Sequence, residues 1–216
     1  MPGAVWAIDG TWLDDPVVGS GRRALVVVEM HSRKTLCLTS VPGERAVAAE
    51  QVLARLIAIH GAPLVLKLDN GPAFIAKRFS SFCRRQGITL MHSPIRTPRW
   101  NGTCEVSGKW AKRRAEAAAR RRGSDGTLTQ ADLDCAVTYA GTLPRIHEGW
   151  RQRFLALFEQ QLVVVAREQG VAMDEPVKHH VLRSLGRVAA RRALQLCHIV
   201  TVEGREFNQW LPGSIT

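Results

Sequence analysis

The sequence contains no run of about 18 consecutive apolar residues, the length that marks a membrane-spanning helix. A membrane-spanning protein is therefore excluded at the level of the sequence. The first residues also lack the cationic stretch and apolar run of a secretory signal, so we expect a cytoplasmic protein. With 45% hydrophobic and 23% charged residues, the 216-residue chain is too apolar for disorder and is long enough for one full domain with an appendage.

Cysteine and histidine lack the spacing of metal-binding motifs. The five cysteines are an odd number, and no two are separated by the two residues typical of a zinc knuckle or a redox motif. We therefore predict buried, reduced thiols. The seven histidines show no spacing typical of metal ligands either.

Acidic residues are scarce relative to basic ones. Asp and Glu number 19 against 30 Lys and Arg, which leaves a net charge of +11. Such an excess favours a polyanionic partner, with nucleic acid first, although a basic surface that only promotes solubility is the alternative. Residues 109–125 alone hold 7 basic and 2 acidic residues, nearly half of the excess, and their Ala, Lys and Arg residues favour a helix.

The order of apolar runs predicts an α/β fold. Three short runs rich in β-branched residues and joined by tight turns predict an antiparallel meander. A helical pattern follows, and the next alternation of strand, helix and strand implies a parallel crossover. We therefore expect a mixed five-stranded sheet with flanking helices. The predicted strands are 5–9, 24–30, 35–39, 64–68 and 88–91, with helices at 44–60 and 74–86 between them.

Beyond residue 125 the pattern is mostly helical. Apolar periodicity predicts helices at 129–139, 149–169 and 178–197. Two short apolar runs at 199–202 and 205–210 then predict a terminal hairpin.

Three carboxylates stand in positions that are unusual for surface charges. Asp9 and Asp69 each end an apolar strand, and Glu105 begins the basic helix. A single Asp at a strand end is usually a turn or cap residue. Ligands of open α/β sheets gather at the carboxyl ends of the strands, however, so three such groups together predict one shared site. Clustered carboxylates repel one another unless a cation such as Mg²⁺ lies between them, so the site should bind a divalent metal ion.

The same residues carry a family resemblance. The stretches VWAIDGT (5–11), LDNGPAF (68–74) and SPIRTPRWNGTCE (93–105) resemble the three catalytic blocks of retroviral-integrase-like DDE transposases of bacterial insertion sequences. The last two acids, Asp69 and Glu105, are separated by 35 residues, the spacing characteristic of that family. The sequence departs from the family at Ala73, where an acid is common, and at Val106, where a basic residue is common.

The resemblance implies an RNase H-like catalytic core over residues 1–148. The helical extension over 149–216, which ends in the predicted hairpin, lies beyond the resemblance and is predicted from the residue pattern alone. It implies two Mg²⁺ or Mn²⁺ ions, with Asp9 bridging both, Asp69 completing one coordination shell and Glu105 the other. The implied reactions are hydrolysis at a 3′ end of DNA and transfer of the freed 3′-hydroxyl to target DNA. No covalent protein–DNA intermediate and no nucleotide cofactor are implied.

The resemblance also implies a DNA-binding surface. Lys109 and Lys112 follow Glu105 by four and seven residues, on the same face of the predicted helix. Transposon ends and target DNA are the implied partners, with a homo-oligomer when two ends are paired. The helix-turn-helix module common in the family is expected in a separate protein or a missing segment. The predicted DNA-binding residues are Lys109, Lys112, Arg113, Arg99 and Asn101, and Trp6, Trp12 and Trp100 flank the site as candidates for base stacking.

Two other functions remain open from the sequence. A catalytically silent DNA-binding remnant would keep the basic surface without the reaction. An RNase H-like nuclease acting on hybrids or junctions would share the fold and differ only in substrate. For all three functions we expect a bacterial cytoplasmic protein that associates with the nucleoid when it binds DNA.

Overall fold

The structure is a computed structural model. None of the helices in the described part of the chain is long and apolar enough to cross a membrane. The predicted terminal hairpin lies outside the described residues. The structure describes residues 1–43, 46–94, 100, 102–137, 141, 143–173 and 176–197.

Five strands form one mixed sheet in the order β3-β2-β1-β4-β5. The first three pair antiparallel, whereas β4 runs parallel to both β1 and β5. This confirms the predicted mixed five-stranded α/β sheet with flanking helices and further helices toward the C-terminus. The strands are β1 (Val5–Val17), β2 (Gly21–Glu29), β3 (Lys34–Ser40), β4 (Val65–Leu68) and β5 (Thr89–His92).

The helices follow the predicted order, with two corrections. The single helix predicted at 74–86 is two helices, because Ala76 between them is extended. Within the described part of the helix predicted at 129–139, only Gln130–Asp134 is helical, and residues 138 and 139 lie outside the described residues. The helices are α1 (Ala46–His60), α2 (Pro72–Ile75), α3 (Lys77–Arg85), α4 (Gly102–Arg121), α5 (Gln130–Asp134), α6 (Glu148–Glu168) and α7 (His179–Leu196).

The break between α2 and α3 at Ala76 allows two phenylalanines to pack in the same core cluster. Phe74 and Phe79 are both buried, and their rings meet edge to face with centroids 5.6 Å apart. In one continuous helix two residues five positions apart would point about 140° away from each other. The extended residue lets both rings enter the same core cluster.

Strand β1 is longer than predicted. It was expected to end at Asp9, but pairing with β2 continues to Trp12 and resumes at Val17. Only residues Val5 to Ala7 pair with β4 on the other side. The hairpin of β1 and β2 therefore extends beyond β4, and Asp9 lies within a strand at the point where the sheet loses its β4 neighbour.

The sheet separates two core clusters. Trp6 and Ile8 point to the side of α1 and α3, whereas Val5 and Ala7 point to the side of α4. The α4-side cluster also contains buried residues from the last two helices, Phe154 of α6 and Leu194 of α7 among them. These helices therefore pack onto the sheet. The division of the chain at residue 148 stays a prediction.

Candidate active site

Asp9 and Glu105 are brought together by the close approach of α4 to the sheet. Val26 is the cross-strand partner of Asp9. A side chain added at Gly108 would meet Val26 at 3.5 Å, so the second turn of α4 lies directly over this pair. Glu105 lies in the first turn of the same helix. The packing of α4 against β1 and β2 at Gly108 thus brings Glu105 to the cavity that Asp9 also lines.

The residues of α4 explain both its helicity and its close packing. The helix is rich in Ala, Lys and Arg, which have high helix propensity. Its buried positions hold only small residues, which are Cys104, Gly108, Ala111, Ala115 and Ala119. Their spacing of three and four residues forms one narrow stripe that faces the sheet. The basic side chains are left on the remaining faces.

Five residues predicted from the sequence line one cavity of about 460 Å³ between β1 and α4: Asp9, Glu105, Lys109, Lys112 and Arg113. Lys112 also donates a hydrogen bond from Nζ to the backbone carbonyl of Trp12, at 3.0 Å. These five residues therefore bring two carboxylates and three cations to one cavity. The other two predicted DNA-binding residues, Arg99 and Asn101, lie outside the described residues.

Asp69 follows β4, as predicted, and lines an adjacent cavity. Gly10 contributes to both cavities, so the two are neighbours across β1. The Asp69 carboxylate turns back on its own loop, where Oδ1 accepts the N–H of Gly71 at 2.8 Å. This is the turn contact expected of an Asp that follows a strand. Asp69 is thus near the other two carboxylates but points toward its own loop.

The thiol of Cys104 lies within electrostatic range of all three carboxylates. Burial raises the pKa of Cys104 well above its ordinary value, and the charges of Asp9, Glu105 and Asp69 raise it further. The charges of all three acids therefore reach one buried thiol, and Lys67 acts on it in the opposite direction. Among the residues that the structure describes, however, no three His, Cys, Asp or Glu side chains are close enough to form a ready metal cage.

A buried lysine that the sequence analysis did not select connects the site. Lys67 is 2% exposed, and its Nζ donates to the backbone carbonyl of Trp100, two residues before α4. Burial lowers the pKa of Lys67 to about 8, against a smaller opposite effect from Cys104. The signal was present in the sequence, because Lys67 is the only charge in an otherwise apolar strand.

Two further carboxylates missed by the sequence analysis line the far end of the larger cavity. Asp14 and Glu116 both contribute to its wall. Burial raises the pKa of Glu116, and the charge and hydrogen bond of Asp14 raise it further. The extension of β1 beyond Asp9 brings Asp14 to α4. The sequence analysis missed this contact because it predicted that the strand ends at Asp9.

The three tryptophans named as stacking candidates differ in exposure. Trp6 and Trp100 are buried, whereas Trp12 is 56% exposed. Core packing therefore accounts for Trp6 and Trp100, and only Trp12 of these three presents its ring to solvent.

Comparison with known proteins shows what the first half of the chain resembles. Residues 1–98 match the family described as integrase core domain. Over these residues the chain is thus similar to integrase-like DDE domains. Over 112 residues it is 28% identical to the Pol-related polyprotein of mouse intracisternal A-particle MIA14, a match that covers 51% of the chain and 12% of the polyprotein. The chain thus spans about 12% of the length of this curated relative.

Solved structures show the same fold as the integrase-like domain. The catalytic core of BIV integrase is 26% identical, with a TM-score of 0.50, and the match covers 62% of this chain and 80% of that one. The HTLV-2 integrase catalytic core, solved in complex with magnesium, is 21% identical with a TM-score of 0.51, and the match covers 63% and 83% of the two chains. The five-stranded sheet with flanking helices is therefore the RNase H-like core of integrases.

Proposed function

We propose that the chain is a DDE polynucleotidyl transferase, a transposase or integrase that hydrolyses a DNA strand and joins the freed 3′ end to target DNA. The observation that carries the proposal is the pair of carboxylates, Asp9 and Glu105, on the wall of a cavity that is also lined by Lys109, Lys112 and Arg113. The match of residues 1–98 to the integrase core domain supports it.

The donor set is suited to Mg²⁺ or Mn²⁺. Both ions prefer carboxylate oxygens, and Asp9 and Glu105 present such oxygens to one cavity while Asp69 lines the cavity next to it. We assign these three acids as ligands of two ions, with Asp9 shared. When bound, such a pair of ions activates the attacking oxygen and stabilises the leaving oxygen in phosphodiester displacement. The magnesium complex of the HTLV-2 core supports this choice of metal.

The basic side chains of α4 hold the DNA. Lys109 and Lys112 lie on the face of the helix that carries Glu105, so a phosphate that approaches the acids passes both ammonium groups. Arg113 adds a planar guanidinium that can donate two parallel hydrogen bonds to one phosphate. We also assign Arg99 and Asn101 to this surface on the basis of the sequence. Since these contacts are to phosphates, DNA binding should weaken steeply as salt rises.

The test is cleavage and joining of labelled transposon-end DNA in Mg²⁺ or Mn²⁺. Asp9→Asn should abolish both reactions while DNA binding and the fold persist, because the amide cannot replace the negative charge. Asp15→Asn is the matched control, since Asp15 lies on the same strand and outside the wall of the cavity. Intact binding without nicking or joining in either metal, on the DNA ends that flank the gene, would refute the proposal.

Two observations favour a second candidate, a catalytically silent DNA-binding protein. Asp69 accepts the Gly71 N–H, and the described residues include no ready three-group metal cage. This candidate predicts salt-sensitive DNA binding that EDTA leaves unchanged. A metal-dependent change in either DNA binding or thermal stability would exclude it.

The proposed reaction needs partners beyond one chain. Pairing of two DNA ends requires at least two active sites, so we assign a homo-oligomer to the DNA-bound state. Sequence-specific recognition of the ends is assigned to a helix-turn-helix module in a separate protein or another segment. We place the protein in the bacterial cytoplasm, on the nucleoid when it binds DNA. Size measurements with and without end DNA test the oligomer directly.

A further inference from the structure

An exposed tryptophan lies beside the candidate site on the opposite face of β1 from α4. Side chains alternate along a strand, so Trp6, Ile8, Gly10 and Trp12 share one face. Gly10 lines the cavity that Asp69 also lines. Trp12 is two residues further along, about 7 Å away by strand geometry, and its side chain is 56% exposed. The indole therefore stands next to the mouth of the Asp69 cavity.

Trp12 is contacted by two basic residues, one at its ring and one at its backbone. Arg23 is the cross-strand partner of Trp12, and its guanidinium carbon lies 4.1 Å from the centroid of the indole ring. Lys112 of α4 donates to the backbone carbonyl of Trp12. The ring is thus oriented by a cation on one side, and its backbone is tied to the helix that carries Glu105. A preorganised ring loses little conformational freedom when it binds a ligand.

We propose that Trp12 and Arg23 form a stacking platform for an unpaired nucleotide at the end of the DNA strand held in the active site. The inference rests on the proposed function and adds a binding site to it. A base stacks on the indole or guanidinium plane, and the positive charge of Arg23 attracts the adjoining phosphate. Bases in a duplex are already stacked on their neighbours, so the platform recognises single-stranded DNA in particular.

The surrounding charge favours a nucleic acid over a protein partner. Arg23 lies against the indole and Lys112 reaches the Trp12 carbonyl from α4, so a protein interface there would have to desolvate these cations. A DNA backbone instead neutralises them and releases its own counterions. The exposed indole and its arginine therefore fit a partner that is both aromatic and polyanionic.

The test compares the binding of two short fluorescent duplexes, one with blunt ends and one with a single-stranded overhang. The wild-type protein should bind the overhang duplex more tightly by about 5- to 150-fold, the range expected from stacking one base. Trp12→Ala should remove this gain and leave blunt-duplex affinity unchanged, whereas Trp12→Phe should keep part of it. An overhang of abasic nucleotides, which keeps the phosphates, should bind like the blunt duplex.

Trp110→Ala is the matched control, because Trp110 is also 56% exposed and also has an arginine beside it, with Arg113 at 5.5 Å. It should leave the overhang gain intact. Equal wild-type affinity for the two duplexes, or an equal loss for Trp12→Ala on both, would overturn the stacking platform. A change of oligomeric state in Trp12→Ala with unaltered DNA binding would also overturn it, in favour of a second copy of the chain on this surface. Metal-dependent cleavage of the blunt duplex tests the proposed function separately.

Discussion

The ammonium group of Lys67 donates a hydrogen bond to the backbone carbonyl of Trp100 and lies 4.9 Å from the centroid of that residue's indole ring. The contact joins β4, which leads to Asp69, to the start of α4, which carries Glu105. The guanidinium carbon of Arg187 of α7 lies 5.9 Å from the centroid of the same ring. Trp100 therefore has two cations close to its ring at the point where the Glu105 helix begins.

We expect Lys67→Met to loosen the first turns of α4. The methionine fills a similar volume but leaves the Trp100 carbonyl without its donor. Hydrogen exchange at the Gly108 amide should accelerate by about 10- to 100-fold, the range that corresponds to losing a hydrogen bond from a charged donor. Exchange at the Val27 amide, in the centre of the sheet, should change little. The exposed Lys77→Met is the control, and equal exchange in both variants would show that the Lys67 contact does not secure the helix.

The hydrogen bond between Asp69 and Gly71 predicts a local response to metal. If Asp69 is a ligand, Mg²⁺ should draw its carboxylate away from the Gly71 N–H, which then loses the acceptor of its hydrogen bond. The Gly71 amide resonance should then shift and its hydrogen exchange should accelerate in an NMR titration with Mg²⁺. The amide of Gly87, which donates to the Arg84 carbonyl, is the reference within the same spectrum.

Asp69→Asn separates this response from general effects of salt. The amide oxygen of Asn can still accept the Gly71 N–H, but it binds Mg²⁺ weakly, so the Gly71 signal should stay unchanged during the titration. A wild-type titration in which the signals of Asp9 and Glu105 move while Gly71 does not would remove Asp69 from the ligand set.

The sequence predicts much of this architecture because the relevant signals are local. Apolar runs place the five strands, and Glu105 at the head of a basic helix follows from helix propensity. The presence of Asp69 directly after an apolar strand is equally local. The sequence does not indicate whether the Asp69 side chain makes a turn contact or faces a metal site, because both are compatible with an Asp after a strand. The orientation of Asp69 toward Gly71 is therefore visible only in the structure.

Features that depend on distant partners were missed for a related reason. The polar residues after Asp9 end the apolar pattern, yet pairing with β2 carries the strand on to Val17. The periodicity of α6 and α7 reveals that each helix has an apolar face but not what that face covers. Phe154 and Leu194 join the sheet core because α6 and α7 pack against it, and no motif in their sequence indicates this.

Arg151 makes a specific attachment between α6 and the sheet layer. Its guanidinium donates to the backbone carbonyls of Ala62, Pro63 and Gly87, at 2.6 to 3.2 Å. Arg151→Ala should lower the free energy of unfolding by about 2–3 kcal/mol, because three partly buried carbonyls lose a charged donor. Urea denaturation measures this difference.

Arg153→Ala is the control for Arg151→Ala. Arg153 is exposed on the same helix, 5.6 Å from the ring of Trp150, and its loss should cost less than about 1 kcal/mol. Equal effects of the two variants would mean that the three carbonyl contacts contribute nothing particular to the attachment of α6.

The ion pair between Arg122 and Asp132 predicts a dependence of stability on acid. Arg122 Nη2 lies 2.8 Å from Asp132 Oδ2, and Asp132 also accepts the N–H and hydroxyl of Thr129 in a capping box. The hydrogen bond from Arg122, with those from Thr129, lowers the pKa of Asp132 from 3.8 to about 2. A carboxyl whose pKa is lower in the folded state stabilises the fold above its unfolded pKa and loses that contribution as pH falls through its folded pKa.

Wild-type protein should therefore lose this contribution between about pH 4 and pH 2. Asp132→Asn keeps an acceptor for Thr129 but carries no charge, so its urea midpoint should be below that of the wild type at pH 7 and should approach it as the pH falls toward 2. Asp134→Asn, which alters an exposed carboxylate on the same short helix, should run parallel to the wild type throughout. A gap between wild type and Asp132→Asn that stays constant down to pH 2 would show that the charge of Asp132 does not stabilise the fold.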